Sequence, residues 1–251
     1  MVELIFFVIA LITVFILWNL KLNIVVIFLI AFFVLLVFNF MIGYFMKVRQ
    51  RKVLDWDCDP KRYLKMMDER EKKFRKNKRV LSYLSINRAV GHLLLGNFMM
   101  AKEYLEGIDT SYLSEKNGSY FVYTIDLISC YYELGEIEKA ENLYETNLVR
   151  LAPLGKPHKR SVEILIGERY YFQGKYEESY ECLKKLLKED LDKRQYLGIL
   201  FRLAQMDLRN GETDQARKRF EKIAKLGNKL WIAKESGEIL EKYDKFINAE
   251  E

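Results

Sequence analysis

Two histidines and three cysteines are the side chains that could hold a metal or act as nucleophiles, and their spacing gives them neither task. His92 and His158 stand far apart, and neither has a second ligand at metal-motif spacing. His92, beside Leu93 in a helical pattern, reads as a packed residue, and His158 follows Pro157 in a loop. Cys58, Cys130 and Cys182 form no Cys-x-x-Cys pair. An odd, scattered set suits a reducing compartment, with Cys130 and Cys182 as buried thiols. No phosphate-cradling Gly-x-x-x-x-Gly-Lys loop occurs, and no Gly-x-Ser-x-Gly elbow. Carboxylates fall as i, i+4 partners of lysine, as Glu177 and Glu181 do with Lys185. The expectation is a binding protein and not an enzyme, with no catalytic residue, metal or cofactor.

The elements that carry these residues fall into two parts. Residues 1–46 hold only two charges, Glu3 and Lys21. Leu4 to Trp18 and Ile24 to Met46 are continuous apolar runs. One helix through both would be about 65 Å long at its fixed rise, while a bilayer core is about 30 Å thick. The chain must therefore turn, and Lys21 between Asn19 and Asn23 marks the place. A signal peptide would need a basic start and a small-residue cleavage site, and residues 1–20 have neither. Two spans are expected, with a re-entrant first segment as the alternative. Trp18 and Tyr44 fall near opposite interfaces, and Asn39 reads as an interface or helix-pairing contact.

Residues 47–79 carry fourteen basic and six acidic side chains, whereas residues 80–251 are close to balanced at −2. The positive excess thus sits beside the second span. By the positive-inside rule, residue 47 onward and both termini are expected in the cytoplasm of a multi-pass membrane protein. The neck is placed to meet anionic headgroups. A nucleic-acid binder would carry such a patch on its folded domain, so no nucleic acid is expected. Asp59-Pro60 is a helix start, and the helix it opens could cover the exposed apolar face of the first repeat after it.

From residue 80 the sequence repeats. Gly96, Gly135, Gly174 and Gly211 recur at intervals of 39, 39 and 37 residues. Seven before each come Ala89, Ile128, Gly167 and Ala204; five after come Ala101, Ala140, Ser179 and Ala216. Nine after come Leu105, Tyr144, Leu183 and Phe220, and twelve after come Ile108, Asn147, Leu186 and Ile223, with Asn147 the polar break. A fixed period with like sizes in like slots marks stacked helical hairpins. Gly167 and Ser179 are small enough for two antiparallel helices to cross closely.

In these slots the chain resembles the tetratricopeptide repeat (TPR) family. It departs from the family pattern at Ile137 and Thr213 in the aromatic slot, and it lacks the early helix-A tryptophan. The resemblance implies an all-α, TPR-like α-solenoid, and the two apolar runs are expected to form a two-helix transmembrane hairpin that leads into it. The expected divisions are 1–46 hairpin, 47–79 basic neck and capping helix, 80–225 four repeats, and 226–251 C-terminal cap and tail. It also implies a groove, lined by the first helix of each pair, that holds a protein or peptide. By position the lining includes Ile125 and the candidate contacts Asn87, Asp126, Tyr132, Glu168, Tyr171, Phe201, Arg202 and Arg209. The aromatics could equally pack within their own repeats. The Lys and Asn clamp of some family members is missing, because Ile86, Val90 and Asp126 occupy its positions. The plan is similar to bacterial inner-membrane proteins that join a two-span hairpin to TPRs. It implies a scaffold that recruits a partner to the membrane, or alternatively a peptide receptor or an accessory subunit of an envelope or transport complex.

Overall fold

The computed structural model describes Val8, Ile12, Phe15 and residues 23–152 and 155–250, with side chains described through 245. The expected first span, its turn at Lys21 and their pairing into a hairpin lie outside the described residues, those three positions aside. The described residues are all helical, with turns between helices. They form two compact units, 1–51 and 52–251.

In the first unit, α1 runs from Ile24 to Arg51. The helix that begins at Ile24 is long and apolar enough to cross a bilayer by length and composition. Phe28, Phe32, Phe33 and Phe40 on it are exposed. Asn39 donates from Nδ2 to the Leu35 carbonyl of its own helix at 3.0 Å.

The second unit opens with a π turn, Lys52–Trp56, and then α2, Pro60–Phe74. The Asp59 side chain accepts from the Arg62 N–H at 3.0 Å, and Pro60 occupies the first turn, where its missing N–H costs nothing. Four helix pairs come next: α3 Lys78–Leu93 with α4 Phe98–Glu106, and α5 Ser119–Glu133 with α6 Ile137–Thr146. The third pair is α7 Lys156–Phe172 with α8 Tyr176–Leu186, and the fourth is α9 Lys193–Arg209 with α10 Thr213–Leu226. The last helix, α11, spans Trp231–Glu250.

Each turn glycine has a positive φ, from 73° to 79°, which a side chain would oppose. The second helix of every pair starts two residues later, at Phe98, Ile137, Tyr176 and Thr213. The crossing slots are packed tight. Ala89, Ile128, Ala204, Ala101, Ala140, Ser179 and Ala216 are all fully buried. A Cβ on Gly167 would come within 2.4 Å of Leu183 Cδ2, and Ser179 Oγ donates to the Gly167 carbonyl at 2.8 Å. The polar break is satisfied as well: Asn147 Nδ2 donates to Tyr120 Oη at 2.6 Å.

The end of this unit returns to its beginning. The Lys229 N–H bonds the Cys58 carbonyl at 3.2 Å, and Asn228 Nδ2 bonds the Asp57 carbonyl at 2.8 Å. Lys229 Nζ reaches Asp59 at 2.9 Å. The Trp231 N–H bonds the Leu94 carbonyl at 3.0 Å, and its ring meets Phe98 and Phe201 edge-on. Among the described residues, Cys58 and Asn228 are the two non-glycines with positive φ, 52° and 51°, and both lie in this seam. Residues 52–74, read from sequence as part of a neck and cap, contribute to the core here: Val53, Leu54, Tyr63 and Met67 are buried, and Cys58 packs with Leu197, Phe201 and Phe220.

Candidate functional site

Closure of the seam turns the inner face of the first helices into a partly enclosed cavity of about 330 Å³. Helical spacing decides which residues reach it. On α5 the stripe is Val122, Ile125, Asp126, Ser129 and Glu133; on α7 it is Ser161, Ile164, Leu165 and Glu168. On α9 it is Arg194, Gly198, Phe201 and Arg202. Each stripe keeps to three- and four-residue steps, one face of a helix. Leu94, Phe98, Leu230 and Trp231 complete the wall from the first repeat and the C-terminal segment.

Of the eight candidate contacts, four come together here: Asp126, Glu168, Phe201 and Arg202. The other four do not line the cavity, each for a definite reason. Tyr132 lies one turn after the crossing residue Ile128 and so faces α6. There it is buried, stacks on Phe172 at 5.0 Å and donates to Glu141. Tyr171 bears the same relation to Gly167; its ring meets Phe172 and Tyr176 edge-on and the Arg202 guanidinium at 5.0 Å. Asn87 is taken by α2, accepting from Tyr63 Oη at 2.8 Å and donating to its own Tyr83 carbonyl. Arg209 is exposed at the end of α9 and lies over Tyr176 at 4.1 Å.

The charges in the wall are paired with one exception. The Arg202 side chain, only 6% exposed, bonds Glu133 and lies 3.7 Å from Glu168. Gln205 also accepts from it at 3.1 Å, and the Tyr171 and Phe172 rings flank it. Burial works against its charge, but Glu133 and Glu168 hold its pKa above the ordinary value. Arg194 donates to Asp55 at 3.0 Å and lies 3.9 Å from Asp192, with the same balance of burial against carboxylates. Burial pushes Glu168 up to about 6, with Arg202 opposing. It pushes Asp126 up to about 7, with Arg194 opposing at longer range. Asp126 Oδ2 is fully buried and has no hydrogen-bond partner. Arg194, Glu133 and Trp231 were missed by sequence reasoning. The Asp192 and Gln195 capping box that starts α9 is visible in the sequence, but nothing local tells that Arg194 will find Asp55, 139 residues away.

The remaining reactive side chains are spoken for by packing. His92 stacks on Tyr104 at 5.4 Å, and burial, then Arg88, depresses its pKa. His158, expected in a loop, sits in the first turn of α7 and stacks on Phe121 at 4.5 Å. Cys130 is buried and Cys182 half-buried. Glu181 pairs with Lys184 at 4.0 Å.

Comparison with known proteins adds one match. A family model described as the SusR N-terminal TPR domain covers residues 63–224, from α2 through most of α10. No curated protein matches the chain, and no solved structure does. TPR domains serve as protein-interaction modules, and no enzyme family is indicated. With more than half of its length matched, and with its glycine turns and small-residue crossings in place, the chain belongs to the TPR family.

Proposed function

We propose that the protein is a membrane-anchored scaffold whose TPR unit recruits a protein partner to the cytoplasmic face of the membrane. The observation that carries this reading is the cavity, where apolar rings converge with a half-buried carboxylate that has one buried, unbonded oxygen, inside an interaction domain. Such mixed, concave surfaces are where proteins place binding sites. Asp126, Glu168 and Phe201 are the contacts, and Arg202 ties the wall together behind them. At about 330 Å³ the space holds one projecting side chain or a small ligand, not a long peptide laid along a groove. Anchoring through residues 1–46 is inferred from the two apolar runs. Cytoplasmic placement is inferred from the basic residues after the second run, which also meet anionic headgroups. Closure of the seam favours a second reading, a receptor that encloses a small diffusible peptide end.

The test is crosslinking and pull-down of the full chain from intact membranes. A defined partner is expected with wild type and with Glu138→Gln on the exposed outer surface. It should be lost with Ile164→Trp, which fills the cavity. Equal capture by Ile164→Trp, or a reporter after Glu251 that is active only outside the cytoplasm, would contradict the reading.

A further inference from the structure

The ions that line the cavity are unequally paired. Both arginines are already matched. Arg202 has Glu133 and Glu168, and Arg194 has Asp55 and Asp192. By charge, each guanidinium faces two carboxylates, so neither brings a net positive surplus to the cavity. Asp126 is the surplus charge, with Oδ2 buried and unbonded. A buried polar atom without a partner is costly, and it is relieved only by a group that donates to it. A cationic donor gives the stronger, charge-assisted bond. Phe98, Phe201 and Trp231 line the same cavity, and their rings suit both an apolar stem and a cation.

We infer that the cavity receives a primary ammonium or guanidinium group on a short apolar stem, with the cation seated against Asp126. This rests on reading the cavity as a binding site. Two sources share this chemistry: a Lys or Arg side chain projecting from a protein partner, and a free small amine.

The seat is also sensitive to pH. Asp126, held near 7 by burial, must be ionised to take the cation. Arg194 faces it from α9 and Tyr63 from α2, and Cys130 lies one turn later on its own helix. Burial raises both Tyr63 and Cys130, so neither titrates in this range. Glu168, near 6, lines the same cavity and acts in the same direction. Cation binding should therefore weaken as pH falls.

The experiment uses the full chain in phosphatidylcholine nanodiscs, with empty discs as blank, and isothermal titration calorimetry at pH 8. The probes are n-butylammonium and n-propylguanidinium, with 1-butanol and butyrate as matched controls. A neutral peptide carrying one lysine, and its norleucine counterpart, report the source. At least one free cation or the lysine peptide should bind roughly tenfold or more tighter than its uncharged counterpart. Asp126→Asn should remove that preference, whereas Lys185→Glu on the exposed face of α8 should keep it. Affinity should fall by about tenfold or more between pH 8 and pH 5.5. Uncharged or anionic probes binding as tightly, or cation affinity unchanged in Asp126→Asn, would overturn the inference. If no cation binds while membrane capture of a partner persists, the inference fails and the scaffold stands. If free cations bind and the peptide does not, the cation seat stands and the protein-partner reading gives way to a small-molecule one.

Discussion

The helix crossings and the cavity wall sit a few residues apart on the same helices and obey opposite rules. At the crossings the residues are apolar and, Ile128 aside, small, and the one hydroxyl, Ser179, bonds the facing Gly167 carbonyl. The cavity wall carries Asp126, Glu133, Glu168, Arg194 and Arg202, with one carboxylate oxygen unbonded. Packing density makes the crossings stable. Desolvated charge makes the wall costly, because each ion loses its water and regains only what its partners return. A sequence kept for stability alone would fill the wall with leucine. Local rules are broken where function needs them broken, and here that place is one stripe per helix.

Single substitutions in the wall and at the crossings separate the two rules. The largest effect is expected at Arg202→Ala, which leaves Glu133 and Glu168 facing each other without their cation. Removing one partner of such a buried network costs about 3 to 5 kcal/mol, read by chemical denaturation. A loss as small as that of a surface change would mean that the wall is not held by charge. Next comes Ala140→Phe, which adds a ring to the buried cluster that holds Phe121, Ile128 and Leu165. Overpacking there should cost about 1 to 3 kcal/mol. A harmless result would show that the crossing is looser than its full burial implies.

Asp126→Asn should act with the opposite sign. Its folded value near 7 lies above the ordinary 3.9 or so of an unfolded aspartate, so the folded chain binds the extra proton between those values. The stability from that proton is fully present below about pH 4 and is lost as pH rises through about 7. Replacing the carboxylate should therefore stabilise the unit by about 1 to 2 kcal/mol at pH 8, because the amide carries no charge to desolvate. The gain should shrink toward pH 5. Stability curves at the two pH values check this, and a gain independent of pH would exclude Asp126 as its source. Smallest of all is Glu138→Gln, exposed on α6, expected within about 0.5 kcal/mol of wild type.

How much of this was legible depends on the range of the interactions. The turn glycines, the start of each second helix and the Asp59 cap were readable because each is decided within a few residues. The crossing slots were readable because one period repeats them. The assignment of Tyr132 and Tyr171 to the groove missed by about a third of a helical turn. Both come four residues after a crossing residue, so both belong to the crossing face, and the arithmetic was available in the sequence. The seam was not available. Asp57 and Cys58 meet Asn228 and Lys229 across about 170 residues, through backbone carbonyls and a left-handed turn that no local pattern announces. Because the seam makes the cavity, the difference between an open groove and a partly enclosed one also lay beyond the sequence.

If the wall is the binding surface, a partner is held there and not on the outer helices. The most direct measurement places a photo-crosslinking residue at Ile164, in the wall, or at Lys185, on the exposed face of α8, in the full chain in intact membranes. A discrete adduct is expected from position 164, diminished by Asp126→Asn, and none from position 185. An adduct from position 185 alone would contradict binding at the wall.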